Sequence, residues 1–464
     1  MKPVRIICIL LCVSLCASLF LAGCQSPPAD APAQDAPAQE TPATEEAGEV
    51  QADQEPVTIS ILTRAFNDNS NIFSLVTLEY LNEWMAMNPH VTVINDSIFD
   101  EDQFNNRFSI AVANDEMPTL FMSYGGQAFR TFIDAGLVLD LEQSGLMDRY
   151  DDFFGMLMPV AFSSQRFTDM PGSTFGFAMD MFATGIYYNR SMFEEHGIAV
   201  PTTMEELEDA FEAFMALDII PMALGNGSPF MGGHLHAEIM MKMFGSDMMY
   251  RLADREVNWT DNEVIESLRI IYDWNNRGFF GPDTPTLNMQ GARTLFKTGQ
   301  TPMHHHLLHN YVVIVDDSEF THEDAGLMPF PYFSDRPEHR NAFHSGTNMN
   351  FSFSADATEA ELEAVMSLVK HIFGRQAMQQ MVDVSGGAVI PTRIDVEIPD
   401  FVQPGVREFL EAFAMGTDFA KEAGEYDSNP AIRNVLRDSI QGMTAGVSPE
   451  DTAQIIQDAI NRGG

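Results

Sequence analysis

The hydrophobic positions of this chain follow two alternating patterns. Short runs rich in β-branched residues are typical of strands, and they occur at Val57–Leu62, Val91–Ile94, Thr119–Met122 and Ile219–Leu224. The stretches between them carry an apolar residue every three or four positions, as amphipathic helices do. Strands that alternate with helices predict an α/β fold with mostly parallel strands.

Two helix starts are marked by a Thr followed three residues later by a Glu. In such a capping box the two side chains satisfy backbone N–H groups that the first helical turn leaves free. Thr203 with Glu206 and Thr260 with Glu263 have this spacing. We therefore expect one helix to begin after Thr203 and another after Thr260.

Residues 1–23 have the pattern of a lipoprotein signal peptide. A basic start and an apolar run lead to Leu21-Ala22-Gly23-Cys24, and the run is shorter than the roughly 20 residues that a spanning helix needs. All four cysteines lie at positions 8, 12, 16 and 24, so cleavage leaves only Cys24. Lipidation of Cys24 with acyl chains such as palmitate would anchor the protein to the cell membrane from outside the cytoplasm. An ordinary secretory signal is the alternative.

Residues 24–55 are predicted to be a disordered acidic tether behind the lipidated cysteine. This stretch contains Ala, Pro, Gln and eight acidic residues, and it has no Lys or Arg. Such a composition cannot bury enough apolar surface to form a core. A self-repelling segment of this kind would hold the folded body away from the membrane.

The remaining length and the charge narrow the possible functions. About 400 residues follow the tether, which is more than one core normally accommodates, so two domains are expected. The whole chain carries 67 acidic against 25 basic residues, a formal net charge of −42. This negative field makes nucleic acid and anionic lipid surfaces poor partners, and an anionic solute would need local Arg groups.

Motifs for common catalytic sites are absent from the sequence. It contains no Gly-x-Ser-x-Gly elbow, no His-Glu-x-x-His zinc motif and no phosphate-binding Gly-x-x-x-x-Gly-Lys loop. Pairs of carboxylates are unavoidable in so acidic a chain. A hydrolase that uses such a pair, or the histidines, therefore stays open as an alternative.

Five segments of the body occur in a recognisable order. They are EWMAMNPHVTV at 83–93, FNNRFSIAVANDEMPTLFM at 104–122, AGLVLDL at 135–141, GIYYNRSMFEEHGI at 185–198 with PTTMEEL at 201–207, and LFKTGQTPM at 295–303. In this order they resemble the family 1 extracellular solute-binding proteins, the maltodextrin-type receptors of ABC importers. The resemblance extends over nearly all of residues 57–464.

The resemblance implies a two-lobed, type II periplasmic-binding-protein-like α/β fold with discontinuous lobes. Residues 57–177 and 303–345 would form the N-terminal lobe, and residues 178–302 and 346–464 the C-terminal lobe. Hinge crossings are expected near 177–180, 301–305 and 346–352. The lobes would close on a solute held by loops at the strand ends.

Candidate solute contacts are placed by the resemblance at loops and crossings. They are Asn67, Asp68, Tyr124, Gln127, Asp180, Phe182, Asn226, Ser228, Phe230, His306, His309 and Asn348. Amide and carboxylate groups suit sugar hydroxyls, and aromatic faces suit pyranose rings. Turn formation is the alternative for Asn67 and Asp68, and a hinge role is the alternative for the crossing that contains Asn348.

A run of histidines departs from the family pattern. His309 lies near the position at which many sugar receptors have Trp, which makes a standard malto-oligosaccharide a doubtful solute. His304 and His306 would share one face of a strand, and with His234 and His236 they could form a metal site. The simpler interpretation is that some of them line the cleft and others are structural, so no metal or other cofactor is predicted.

These observations predict a non-enzymatic receptor that is anchored outside the cytoplasm by lipid. It would capture a mono- or oligosaccharide between two closing lobes and deliver it to the permease subunits of an ABC importer. We expect a monomer whose only membrane contact is the lipid anchor, and no nucleic-acid partner. A receptor for a non-sugar solute is a further alternative.

Overall fold

The computed structural model describes residues 55–463, except 68–71, 115, 168, 317, 398, 400, 401 and 430. The predicted signal peptide, Cys24 and nearly all of the predicted tether lie outside the described residues. Within the described part of the chain, none of the helices combines the length and the apolar character needed to cross a bilayer.

Twelve strands and eighteen α-helices form the described body. The strands β1 to β12 are Val57–Leu62, Val91–Asn95, Leu120–Ser123, Phe177–Ala178, Asp180–Asn189, Met222–Ala223, Met303–Leu307, Ala325–Met328, Ala342–Thr347, Asn350–Phe353, Ile390–Pro391 and Asp418–Ala420. The helices α1 to α18 are Ile72–Met87, Glu101–Ala113, Gln127–Asp134, Leu146–Arg149, Asp151–Phe154, Arg190–Glu195, Met204–Met215, Phe230–Phe244, Ser246–Ala253, Asn262–Asn276, Met289–Lys297, Tyr311–Val315, Glu359–Ile372, Arg375–Val384, Pro404–Phe413, Ala423–Tyr426, Ala431–Thr444 and Pro449–Gly463.

The first sheet, sheet A, has the strand order β2-β1-β3-β10-β4. Its first three strands are parallel, and β10 runs antiparallel to both β3 and β4. The predicted strands at 57–62, 91–94 and 119–122 agree with β1, β2 and β3 to within one residue. One apolar core joins this sheet to α1 and α13, with Trp84 and Phe177 fully buried in it.

The second sheet, sheet B, is organised around the ten-residue strand β5. Antiparallel partners of β5 are β7, β8, β9 and β11, while β6 and β12 extend the sheet in parallel pairs. The α/β class is confirmed, but the expectation of mostly parallel strands is wrong for sheet B. Because β5 is covered on both edges by returning strands, its residues 183–189 are all buried.

Hydrogen bonds hold together three segments at which the chain passes between the sheets. The first is the step from β4 to β5 at Asp180, and the second is the step from β9 to β10 at Asn348. Asn348 donates its backbone N–H to the Asp180 carbonyl at 3.1 Å and its side-chain amide to the Asp180 carboxylate at 2.9 Å. The third is at Thr392, whose N–H and hydroxyl donate to Met179 and Ala178 carbonyls at 3.0 and 2.6 Å.

The strand pairing corrects the predicted division of the chain. Strands β7, β8 and β9, which lie within residues 303–345, pair in sheet B and not in sheet A. Residues 350–353, predicted for the C-terminal lobe, instead form β10 of sheet A. The crossings expected near 177–180 and 346–352 are present, but residues 301–305 lead into an interior strand of sheet B, and the third crossing is at 390–392. The sequence of β7, Met303–Leu307, does not distinguish these two assignments, because a buried strand can pair in either sheet.

Helix α7 begins as the sequence predicts, and α10 does not. Thr203 and Glu206 form a complete capping box at the start of α7. At α10 the N-cap residue is Asp261, with no side-chain hydrogen bond to the helix, so the predicted capping box of Thr260 and Glu263 is wrong. A box at Thr358, which sequence reasoning did not identify, starts α13.

The two Thr residues provide a matched pair for testing the cap. Replacement of Thr203 by Ala should lower the free energy of unfolding by about 1 kcal/mol, because it leaves helical N–H groups without a partner. Thr260→Ala should change it by less than about 0.5 kcal/mol. Urea unfolding followed by circular dichroism measures both. Equal losses in the two variants would contradict the assignment of the cap.

The carboxyl of Asp180 should make stability depend on pH. Burial raises its pKa to about 7, although the Asn348 hydrogen bond opposes this shift. Between about pH 4 and pH 7 the folded protein therefore binds more protons than the unfolded chain, so this group lowers stability as pH rises, by up to about 1.4 kcal/mol per pH unit, with no further loss above that window.

Asp180→Asn should remove this component of the pH dependence. Urea unfolding at pH 5, 6, 7 and 8 would measure it, with Asp209→Asn on the exposed face of α7 as the control. The prediction fails if the wild type and Asp180→Asn lose stability in parallel across the series.

Candidate functional site

The loop after β3 brings sheet A against elements that follow sheet B. Lys421 donates a hydrogen bond from Nζ to the Tyr124 carbonyl at 3.2 Å. Gly125 and Gly126 have φ values of 68° and 69°, and a Cβ on Gly126 would lie 2.8 Å from the Glu425 carbonyl oxygen. Glycine permits the close approach here, since any side chain would separate the two surfaces. We call this region the inter-sheet junction.

Tyr124 is held between two arginines at the junction. Its hydroxyl accepts a hydrogen bond from Arg64, which follows β1. The Arg433 guanidinium lies over its ring, 5.6 Å from the centroid. The Arg433 guanidinium therefore lies over the Tyr124 ring, which was predicted to contact a sugar.

The other predicted contacts from sheet A are less informative. Asn67 donates its side-chain amide to the Arg64 carbonyl at 3.0 Å, which is the turn geometry foreseen as its alternative. Asp68 lies outside the described residues. Gln127 is the first residue of α3 and is half-buried next to the glycines.

Five charged side chains surround the junction on the sheet B side, of which Lys421, Glu422 and Glu425 are buried and Arg433 and Arg437 are half-buried. Arg437 donates to both oxygens of Glu422 at 2.7 to 3.1 Å, and Arg433 donates to Glu425 at 3.3 Å. Burial lowers the pKa of Lys421 to about 8. Burial raises the pKa of Glu425, but Arg433, Lys421 and Arg437 together outweigh it and hold that pKa below its usual value.

An aromatic wall formed by Phe182, Phe230, His234 and His344 borders this cluster. The Phe182 and His234 rings are nearly parallel, at 11° and 6.0 Å between centroids, and Phe230 lies edge-on to His234 at 5.4 Å. His344 donates from Nδ1 to the Ala420 carbonyl at 3.1 Å. Burial lowers the pKa of His344 to about 4 and holds the pKa of His234 well below its usual value, so both imidazoles of the wall favour the neutral form.

One group in the described part of the chain has the composition of a metal site. Atoms of His234, His344 and Glu422 that could bind a metal lie within 4.8 Å of one another, and two His with one Glu is a zinc-type set. Glu422 is, however, already bonded by Arg437 on both oxygens. A divalent cation would have to displace that guanidinium beside buried Lys421, so charge balance opposes it.

The metal combination considered from sequence is not assembled. His236 is bonded to the Ser267 hydroxyl at 2.9 Å and lies against Trp259 in the core, which makes it structural. His304 and His306 are neighbours, with ring centroids 5.1 Å apart. The candidate metal group among the described residues contains neither of them.

Four predicted contacts have protein partners in this structure. Asp180 and Asn348 bind each other at the crossings. Asn226 is fully buried and donates to the Thr444 hydroxyl at 2.9 Å, and Ser228 accepts from the Met289 N–H at 3.2 Å at the start of α11. The structure places Phe182 and Phe230 together in the aromatic wall.

His306 and His309 lie at the far end of β7. His306 is the fourth residue of that strand, and His309 follows in a 3-10 turn at Leu308–Asn310. The ring of His309 lies edge-on to Phe73 of α1, 5.7 Å away, so sheet B also meets a sheet A helix here. Burial and the nearby charge of Arg293 together lower the pKa of His309 to about 4.

Sequence reasoning missed the charged residues that dominate the site. Lys421 is one of only five lysines in the chain, and Arg433 and Arg437 are spaced to share one face of α17. Because basic residues are scarce in so acidic a chain, their positions could have indicated the site. Their meeting with Tyr124, some 300 positions earlier in the chain, was not visible without the fold.

Solved structures of similar fold cover nearly all of the described body. A chitin oligosaccharide binding protein aligns with a TM-score of 0.78 and 21% identity over 88% of this chain and 98% of its own. A protein studied for xylan utilisation in Caldanaerobius polysaccharolyticus aligns at 0.74 and 21% over 87% and 100%. An ABC substrate-binding protein from Listeria monocytogenes in complex with cycloalternan aligns at 0.68 and 15% over 88% and 99%.

At these identities the likeness shows the fold, which confirms the predicted periplasmic-binding-protein-like architecture. A search of curated proteins finds no match. The family model of bacterial extracellular solute-binding proteins matches residues 75–379, well over half of the chain. The chain therefore belongs to this family of solute-binding receptors, which are not catalysts.

Proposed function

We propose that this protein is a lipid-anchored receptor that captures a carbohydrate and delivers it to an ABC importer. The observation that carries the sugar assignment is the aromatic wall, in which half-buried Phe182 and Phe230 surround an uncharged imidazole. Apolar faces next to polar groups suit pyranose rings. The chitin oligosaccharide and cycloalternan receptors of the same fold support this choice.

The proposed mechanism is closure about the three crossings. Sheet A with its helices and sheet B with its helices act as the two lobes, and the bonded segments at Asp180, Asn348 and Thr392 form the hinge. A solute that contacts both lobes stabilises the closed state, in which Lys421 reaches Tyr124. The importer can then distinguish loaded from empty receptor.

The contacts we propose come from both lobes. Sheet A would contribute Tyr124, Gln127 and Asp68, the last of which lies outside the described residues. Sheet B would contribute the aromatic wall with His306 and His309. We propose a monomer that docks on the permease subunits and needs no cofactor. The hydrolase alternative is not proposed, because the family is not catalytic.

A thermal-shift screen tests the assignment of the solute. Neutral and acidic mono- and oligosaccharides, polyols, amino acids and short peptides would be added to the purified body, residues 55–464. A bound sugar at 100 times its Kd should stabilise the protein by about 2.7 kcal/mol, without turnover of the sugar. Stabilisation by a peptide or a polyol alone would show that the receptor takes a non-sugar solute.

Phe182→Ala should weaken binding of the solute by about 5- to 20-fold, because it removes the stacking face beside His234. Isothermal titration calorimetry gives the Kd. Tyr150→Ala removes a half-buried ring near Arg149 and Lys370 on helices that pack with sheet A, and serves as the control. If both variants bind like the wild type, the aromatic wall is not part of the site.

Cys24→Ser should release the protein from membranes without changing its solute affinity, since only Cys24 can carry the proposed lipid. Cell fractionation and calorimetry on the same variant measure the two properties. Cys16→Ser, within the apolar run of the signal, should leave the protein anchored. A membrane-bound Cys24→Ser protein would contradict lipid anchoring.

A further inference from the structure

Arg293 of α11 is a largely buried cation without an acidic partner among the described residues. Its one hydrogen bond there is from Nη2 to the Asn310 side-chain oxygen, at 3.4 Å, and its buried Nε has no partner. Burial lowers the pKa of Arg293. The half-buried guanidinium groups at the inter-sheet junction, Arg433 and Arg437, both face carboxylates. A buried unpaired guanidinium is costly, so its retention needs a reason.

His306 provides a second donor without an acceptor. The Leu307 N–H donates to its Nδ1 at 2.8 Å, so that nitrogen must carry the lone pair. In the neutral ring the proton is then on Nε2, which is buried and has no hydrogen-bond partner in the described part of the chain. His306 is 1% exposed. Nearby His304 does not satisfy it, because no hydrogen bond joins the two rings in the described structure.

The two donors lie in the same corner of the molecule. The charge of Arg293 acts on His304, His306 and His309, and Arg293 is bonded to Asn310, next to His309. His309 in turn contacts Phe73 in the first turn of α1, on the sheet A side, and that turn contains no acidic residue. We call Arg293, His306, His309 and Asn310 the Arg293 corner. It lies where elements of the two sheets meet, as a solute site requires.

We propose that the Arg293 corner binds a carboxylate of the solute, and hence that the receptor takes an acidic, uronate-type sugar; this rests on the proposed carbohydrate function. A carboxylate accepts through two coplanar oxygens, which suits the planar guanidinium fork of Arg293, and the His306 N–H is a further donor in the same corner. A neutral hydroxyl would leave the charge of Arg293 uncompensated. The cation also provides the local attraction that an anion needs in a chain of net charge −42.

Pairs of sugars that differ only in charge test the proposal without any variant. Calorimetry would compare glucuronate with glucose and galacturonate with galactose, together with their disaccharides and the uronate methyl esters. We expect at least one uronate to bind about 10- to 100-fold more tightly than its neutral parent and its ester. Equal binding, or a preference for the neutral sugar, would overturn the carboxylate subsite and leave the sugar receptor intact. Binding of no sugar at all would instead reject the proposed function.

Arg293→Gln should reduce the uronate-to-neutral affinity ratio to near one, while Arg293→Lys should keep part of it. Arg269→Gln, at an exposed ion pair with Glu450, is the matched control and should keep the full ratio. Melting temperatures of the empty proteins separate binding from folding, because losing an unpaired buried cation should not lower them. An unchanged ratio in Arg293→Gln would overturn the assignment. Tighter binding of sugar phosphates than of uronates would reject the carboxylate in favour of a phosphate site.

Discussion

The organisation of this molecule depends on the hydrogen bonds that hold its three crossings side by side. Asp180, Asn348 and Thr392 come from distant parts of the chain, yet backbone and side-chain bonds fasten the second and third crossings to the first. These bonds fix where sheet A ends and sheet B begins. In the proposed function, the loops beyond the strand ends would approach and separate about these bonded segments.

The distribution of charge is the second constraint. A strongly acidic protein concentrates Lys421, Arg433 and Arg437 around the inter-sheet junction and leaves Arg293 without a carboxylate among the described residues. Buried cations are expensive and are normally balanced. At the junction two glutamates balance most of the charge, whereas at the Arg293 corner the proposed solute carboxylate would do so. The site is thus positive only locally, inside a field that repels anions at a distance.

Much of the fold could be predicted, because it follows from local patterns in the sequence. Strands β1 to β3, the start of α7 and two of the three crossings follow from β-branched runs, a capping box and motif order. The failures have a common cause. Residues 303–307 form a buried strand whose sequence suits either sheet, and only its pairing with β5 assigns it to sheet B. Likewise, Thr260 has capping-box spacing, but the chain turns at Asp261 instead.

The sequence by itself determined the α/β class, the likeness to solute receptors and the expectation of an anchored, exported protein, because composition, periodicity and motif order are local properties. The tertiary structure decided which polar residues remain available to a solute. The side-chain N–H of Asn226 and the hydroxyl of Ser228 have protein partners, whereas the buried N–H of His306 has no acceptor among the described residues. Whether a buried donor finds an acceptor depends on what packing places within about 3 Å of it, and spacing along the chain does not contain that information.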